Sequence, residues 1–281
     1  MATPRPLRTR ASGAVPVHRG ARRRRFPPPL RAPIFPPIRN VLEPYDTLRY
    51  GTVVFDCDST LSAIEGITEL AAEHRAEVAA LTDASMRGVV PIEEVYGRRL
   101  ELVRPTRDRV EALGRLYVET LVPDAREVVA TLLEAGIDVR VVSAGLRPAV
   151  LALTRELGIP DDAVAAVDIQ FDEDGNYAGW DAGSPLAYAG GKRVLLERWA
   201  PNLRRPILMV GDGITDLEAR PAVDAFVAFA GVVERAPVVQ AADIVIRAPT
   251  LAPVVAIAFD GEPPESERGR ELFERGAEIL G

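Results

Sequence analysis

Cysteine is nearly missing from this 281-residue chain: Cys57 stands alone, so no disulfide can form within it and a reducing compartment is the natural setting. Histidine is almost as scarce, with His18 and His74 as the whole supply, which removes the usual zinc constellations. Any metal should then be a hard cation held on oxygen. Lysine is as rare as cysteine, since 33 of the 34 basic residues are arginine and only Lys192 is lysine. No apolar run approaches the length that spans a bilayer, so no membrane partner is expected. There is no internal repeat.

Forty-seven per cent of the residues are hydrophobic, enough for the core of an enzyme-sized body. The formal charge of −7 is unevenly spread, because residues 1–40 hold ten arginines and no acid, leaving about −17 on the remainder. An acidic body of that kind binds nucleic acid poorly and points to a metal-dependent or small-molecule role. The Arg- and Pro-rich start, with "RRRRFPPPLRAPIFPPIRN" at its centre, lacks periodicity and reads as a disordered tail over residues 1–46. A transit peptide, a polyanion-binding tail and sequence upstream of the true start are all open, with an unstructured or artefactual extension favoured. A cytoplasmic location is expected, organelle targeting being the alternative.

From Thr47 onward, short β-branched runs alternate with helical patterns. "GTVVF" (51–55), "DVRVVS" (138–143), "PILMVG" (206–211), "AFVAF" (225–229) and "DIVI" (243–246) read as buried strands of parallel type. Between them lie helices such as 123–136, opened by Pro123 and Asp124 and closed by Gly136. The expected fold is α/β, a doubly wound, Rossmann-like parallel sheet filling residues 47–281, with ligands at the carboxyl ends of its strands. Two segments break the alternation. Residues of about 64–122 are helical without a convincing strand, which suggests a small cap inserted after the first strand. "VDIQFDEDGNYAGW" (167–180) suggests a β-hairpin flap turning at Gly175.

The chemistry concentrates where strands end. Asp56 follows "TVVF" and Asp58 lies two residues on, so both carboxylates emerge at one strand end and repel each other unless a cation intervenes. "LMVGDGITD" puts Asp212 and Asp216 after another buried strand. Asp56, Asp58 and Asp212 are candidates to converge on one Mg²⁺, with Asp216 supporting them from behind, leaving room for waters and a substrate phosphate. "DCDST" alone would serve equally as an acidic helix start, and the second acidic cluster tells against that. Lys192, at the start of "GGKRVLLERW", offers a compact point charge for phosphate and carboxylate together. Ser143 in "VVSAG" supplies a hydroxyl past a third strand, and Ala144 and Gly145 let backbone N–H groups approach an anion, although a plain turn would look the same.

Taken in order, "DCDST", "VVSAG", Lys192 and "GDGITD" resemble the haloacid dehalogenase superfamily of phosphotransferases. Within it, "FDCDSTLSAIEGITELA", "GRRLELVRP", "GNYAGWD" and "GDGITDLEA" resemble the phosphoserine phosphatase branch in its eukaryotic-type form, over residues of about 50–247. The resemblance implies that Asp56 is the nucleophile that becomes an aspartyl-phosphate, and that Asp58 protonates the leaving oxygen and then activates water. Ser143 and Lys192 would hold the phosphoryl oxygens. Mg²⁺ would sit on Asp56, the backbone carbonyl of Asp58 and Asp212, with Asp216 orienting the lysine or the metal waters. Glu65 would face the ammonium of serine and Arg99 its carboxylate, with Arg98 the alternative by register. Met86, Ala144, Gly145 and Thr215 complete the substrate contacts so implied.

The implied reaction is O-phospho-L-serine plus water giving L-serine and phosphate, the last step of serine biosynthesis. Phosphoethanolamine, phosphocholine or a sugar phosphate is the alternative substrate. Three departures from the branch pattern bear on the serine reading: Ala144 for a glycine, Ile92 for an aromatic residue and Val167 for an asparagine. Cys57, between the aspartates, is read as an apolar filler. A polyanion-binding protein with a vestigial phosphatase body is the reading from another class, disfavoured because every catalytic residue type is intact. A dehalogenase is disfavoured because that branch does not need Mg²⁺ or the Asp58 acid. The partner expected is a small phosphomonoester, with no nucleic acid, acting on a monomer or homodimer, and no amino-acid-sensing domain is expected ahead of the catalytic body.

Overall fold

The computed structural model describes residues 50–281, so the reading of residues 1–46 as a disordered tail lies outside the described residues. Among the described residues, eight strands form two sheets. The main sheet is parallel and six-stranded, made of β1 (Thr52–Phe55), β2 (Asp138–Leu146), β3 (Val164–Val167), β6 (Ile207–Gly211), β7 (Ala225–Phe229) and β8 (Ile244–Ile246) in the order β3-β2-β1-β6-β7-β8. An antiparallel hairpin, β4 (Ile169–Phe171) with β5 (Tyr177–Trp180), stands apart and turns at Gly175, whose φ of 81° is the left-handed value a glycine takes without strain.

Strands β1, β6 and β7 are buried at every position, because helices cover both faces of the sheet; that is why they read as continuous apolar runs. The chain builds outward from β1 to β2 and β3, then crosses back to lay β6 on the other side of β1. The reversal between β1 and β6 opens a crevice at their carboxyl ends, the place where doubly wound sheets bind ligands. In register, Phe55 sits opposite Val141 on one side and Val210 on the other, so Asp56 leaves the sheet beside the end of β6 at Gly211, while β2 runs on to Leu146.

Between β1 and β2 run α1 (Gly66–Glu69), α2 (Arg75–Met86), α3 (Ile92–Val103), α4 (Arg107–Glu119) and α5 (Ala125–Glu134). The segment from Ser62 to Leu121 leaves and returns at one point. Its two ends are clasped by a bridge between Ser62 and Leu121, by the Ala63 N–H on the Thr120 carbonyl at 2.8 Å and by the Val122 N–H on the Leu61 carbonyl at 2.9 Å. Helix α4 begins at an N-cap, Thr106, whose hydroxyl accepts the Arg109 N–H, and packs along α6 (Arg147–Glu156). Helix α7 (Gly191–Trp199) precedes β6, the short α8 (Ile214–Leu217) follows it, and α9 (Ala236–Ala241) lies between β7 and β8.

The structure differs from the sequence reading at the start of the hairpin. Val167 ends β3 in the main sheet, and the hairpin starts at Ile169. The last thirty residues form α10 (Ala252–Phe259), which is almost wholly buried, and α11 (Glu267–Leu280), which packs on α10 and α5 and is pinned by Arg275 on Asp124 at 2.6 Å. Among the described residues, no helix is long and apolar enough to cross a membrane.

Candidate active site

At the β1 exit, Asp56 is buried and its Oδ1 accepts the N–H of Cys57 at 2.7 Å. Nζ of Lys192, from the first turn of α7, lies 2.8 Å from the same oxygen and 2.6 Å from Oδ1 of Asp216. The lysine is 3% exposed. Burial alone would lower its pKa, but the charges of Asp216 and Asp56 outweigh that and hold the ammonium above the ordinary lysine range. Oδ2 of Asp216 accepts N–H bonds from Gly213 at 2.9 Å and Asp212 at 3.2 Å, which ties the loop after β6 into one piece. A side chain at residue 211 would not fit, because a Cβ there would lie 2.3 Å from the Asp216 carboxyl carbon. This close approach is a physical need for the glycine of "GDGITD".

Asp56, Asp212 and Asp216 are all buried, and one oxygen from each lies within 4.8 Å of the others. Three carboxylates with no imidazole or thiolate among them suit a hard divalent cation. Burial and the Asp56 charge together push Asp216 up to about 7, with Lys192 acting against them. A cation among these three carboxylates would relieve the same repulsion.

Asp58 faces another way. Its Oδ1 accepts the N–H of Gly66 at 2.7 Å and the hydroxyl of Tyr117 at 2.6 Å. Burial, then the charges of Glu65 and Asp56, raise its carboxyl to about 7. Its other oxygen faces the carboxyl end of β2, where the strand's register on β3 shifts between Val142 and Leu146; Ser143, expected past the strand, lies within it, is fully buried and accepts the Gly145 N–H at 2.9 Å. Cys57, between the two aspartates, is wholly buried, and burial and the neighbouring carboxylates push its thiol well up, as befits a filler.

One cleft collects most of the expected residues: Asp56, Asp58, Glu65, Met86, Arg99, Ala144, Lys192, Asp212 and Thr215 all line it. Ser143, Gly145 and Asp216 do not line it; they are buried beside it, Asp216 against Lys192 at 2.6 Å and Gly145 against Ser143 and Asp58. Ser59, with φ of 52°, turns the chain so that its hydroxyl reaches Oε1 of Glu65 at 2.8 Å. Arg99 is 3% exposed; Nη1 donates to the Thr82 hydroxyl at 3.0 Å, its guanidinium stacks over the Tyr96 ring, and Nε has no hydrogen-bond partner. Among the described residues no carboxylate pairs with it. Arg98, the alternative by register, points outward to Glu77 at 2.7 Å. Of the three departures only Ala144 lines this cleft. Ile92 is buried beside a neighbouring one and Val167 lies in the sheet.

Three residues beside the site were not singled out by the sequence reading. Arg235, just before α9, is 4% exposed and pairs with Oδ2 of Asp212 and, at 3.2 Å, with Oε1 of Glu65. Tyr117 holds Asp58 from α4. Tyr96 on α3 donates to the Ala144 carbonyl at 2.8 Å and packs 4.9 Å from Trp180 of the hairpin, centroid to centroid, so it joins α3, the carboxyl end of β2 and the hairpin.

A family model described as haloacid dehalogenase-like hydrolase matches residues 50–224. The chain is 38% identical over 186 residues to the phosphoserine phosphatase of Mus musculus, spanning 65% of this chain and 83% of that one. It is 37% identical over 199 residues to the chloroplastic phosphoserine phosphatase of Arabidopsis thaliana, spanning 69% and 68% respectively. A solved structure of a substrate-bound phosphoserine phosphatase complex aligns with a TM-score of 0.65 at 25% identity, covering 74% of this chain and 98% of the other.

Proposed function

Since the chain belongs to the haloacid dehalogenase-like hydrolases, among their phosphoserine phosphatases, we propose that it hydrolyses O-phospho-L-serine to L-serine and phosphate through an aspartyl-phosphate on Asp56. The observation that carries the substrate is that Glu65 and Arg99, unpaired with each other, both line the cleft that holds Asp56 and Lys192. A carboxylate and a buried guanidinium without a carboxylate partner suit the ammonium and carboxylate of an amino acid esterified to phosphate.

The chemistry follows from which oxygens are free. Oδ1 of Asp56 is engaged by Lys192 and the Cys57 N–H, so Oδ2 is the oxygen to attack phosphorus. As the Asp56–phosphorus bond forms, the bond from phosphorus to the seryl oxygen breaks and that oxygen takes the proton of Asp58. The Asp58 carboxylate then accepts a proton from the water that attacks the aspartyl-phosphate, releasing phosphate and restoring Asp56. Lys192 offsets the repulsion between an anionic nucleophile and an anionic ester, and Ser143 with the Ala144 and Gly145 backbone cradles the phosphoryl oxygens. Met86 and Thr215 close on the substrate from the cleft wall. Asp56, the backbone carbonyl of Asp58 and Asp212 would hold Mg²⁺, with Asp216 steadying that loop and Lys192. Such an ion, when bound, supplies positive charge to nucleophile and phosphate alike.

The working unit in this reading is a catalytic domain of residues 47–281 with a helical cap over about 64–122, active as a monomer or homodimer in the cytoplasm. Phosphate release from L-phosphoserine with and without Mg²⁺, beside Asp56→Asn, tests it. Mg²⁺-dependent release lost in the variant supports the reading, and release that survives in Asp56→Asn would sink it.

A further inference from the structure

Asp58 has two oxygens, and the structure treats them differently. Oδ1 accepts the Tyr117 hydroxyl at 2.6 Å and the Gly66 N–H at 2.7 Å, so both of its in-plane acceptor positions are filled. Oδ2 faces Gly145 near the carboxyl end of β2, where a Cβ would come within 3.2 Å of it. That is the strand end that carries Ser143 and Ala144, where the phosphoryl group is expected. A proton carried by Asp58 is therefore left with Oδ2, on the side of the reacting ester.

The Tyr117 contact is built in on both sides. Tyr117 is fully buried, and among the described residues its hydroxyl has Asp58 as its one hydrogen-bond partner. A side chain on residue 66 would put a Cβ 2.0 Å from that hydroxyl, so the glycine is what lets the tyrosine reach. The ring belongs to α4, 59 residues beyond Asp58, which makes the contact a tertiary one rather than part of the β1 loop.

We propose that Tyr117 is a positioning residue that holds Asp58 by Oδ1 and so directs its proton, on Oδ2, at the leaving-group oxygen. The inference rests on the reading of Asp58 as proton carrier. In the step it serves, the Asp56–phosphorus bond forms, the phosphorus–alkoxy bond breaks, and the Oδ2 proton moves to the departing oxygen. Alkyl esters need that proton; an aryl ester with a stable phenolate leaving group does not.

Tyr117→Phe keeps the ring and removes the hydroxyl. The kcat for L-phosphoserine is expected to fall by about 10- to 100-fold with KM changed less than about threefold, while first-turnover release of p-nitrophenol from p-nitrophenyl phosphate changes less than about threefold. In an Asp58→Asn background the same substitution is expected to add nothing further. Equal losses on the alkyl and aryl esters, no loss on the alkyl ester, additive effects with Asp58→Asn, or failure of the Phe variant to fold would each make Tyr117 merely structural. If the wild type spares L-phosphoserine but cleaves phosphoethanolamine or another alkyl phosphate, the substrate reading falls, and the same alkyl-to-aryl comparison on that ester decides the role of Tyr117. A wild type that cleaves neither alkyl nor aryl esters overturns both.

Discussion

Nη2 of Arg235 lies 3.2 Å from Oε1 of Glu65, a residue 170 positions earlier, while Nη1 of the same guanidinium is paired with Oδ2 of Asp212. One cation thus bridges the carboxylate expected to face the substrate ammonium and a carboxylate expected to hold the metal. Both the arginine and Asp212 are buried, and removing one partner of a buried pair costs about 3–5 kcal/mol. Arg235→Met should destabilise the metal-free protein by about 3 kcal/mol, with Mg²⁺ recovering most of the loss by supplying the missing charge. Thermal unfolding in chelator and in Mg²⁺ checks this; an equal loss in both conditions contradicts it.

Lys192 sits between two buried carboxylates, so its removal should harm activity and stability together. Lys192→Met is expected to lower kcat by about 10³-fold or more and to destabilise the fold by about 3–5 kcal/mol. Lys192→Arg should keep most of the stability, because the charge remains, but lose most of the activity, because a planar fork does not fit a site built for a point charge. Steady-state kinetics beside chemical denaturation separates the two effects. An arginine variant of wild-type activity would show that only the charge matters.

Asp58 and Asp216 are both raised to about 7 in the folded protein from an ordinary value of 3.8. The native state therefore binds more protons than the unfolded chain between those values, and stability falls as pH rises through that window, levelling off above it. Asp243, held low by the Arg220 guanidinium, acts in the opposite sense, but only below the ordinary carboxylate range. In chelator, the thermal midpoint should drop between pH 5 and pH 8, and Mg²⁺ should raise it more at pH 8 than at pH 5. A midpoint that climbs across this range in chelator contradicts the account.

Much of the fold and most of the site could be read from the chain. Runs such as "TVVF" and "ILMVG" are strands buried on both faces, and aspartates placed just past them have to meet at the sheet's carboxyl edge. Strand β3 was harder to see, because its two alanines are half-exposed at the sheet edge and carry little apolar signal. Arg235 was invisible as one of 33 arginines outside any motif, and its partners lie 23 and 170 residues away. Tyr117 follows Val110 and Leu113 on the buried face of α4, so its burial was legible. The target of its hydroxyl was not, since that depends on how the returning helix meets the β1 loop. Which of Arg99 and Arg98 turns inward likewise depends on how α3 packs: Arg99 is buried, and Arg98 pairs with Glu77 at the surface.

In the proposed reaction the cleft selects a phosphomonoester carrying both an ammonium and a carboxylate. The most direct test of that selection is the ratio of kcat/KM for L-phosphoserine to that for phosphoethanolamine, measured with Mg²⁺ in the wild type and in Arg99→Ala. Truncating a buried charged partner costs about 2–5 kcal/mol, so the wild-type ratio should be well above one and should collapse by about 100-fold in the variant, almost all of it through L-phosphoserine. A ratio near one in the wild type, or one that Arg99→Ala leaves unchanged, would contradict the account.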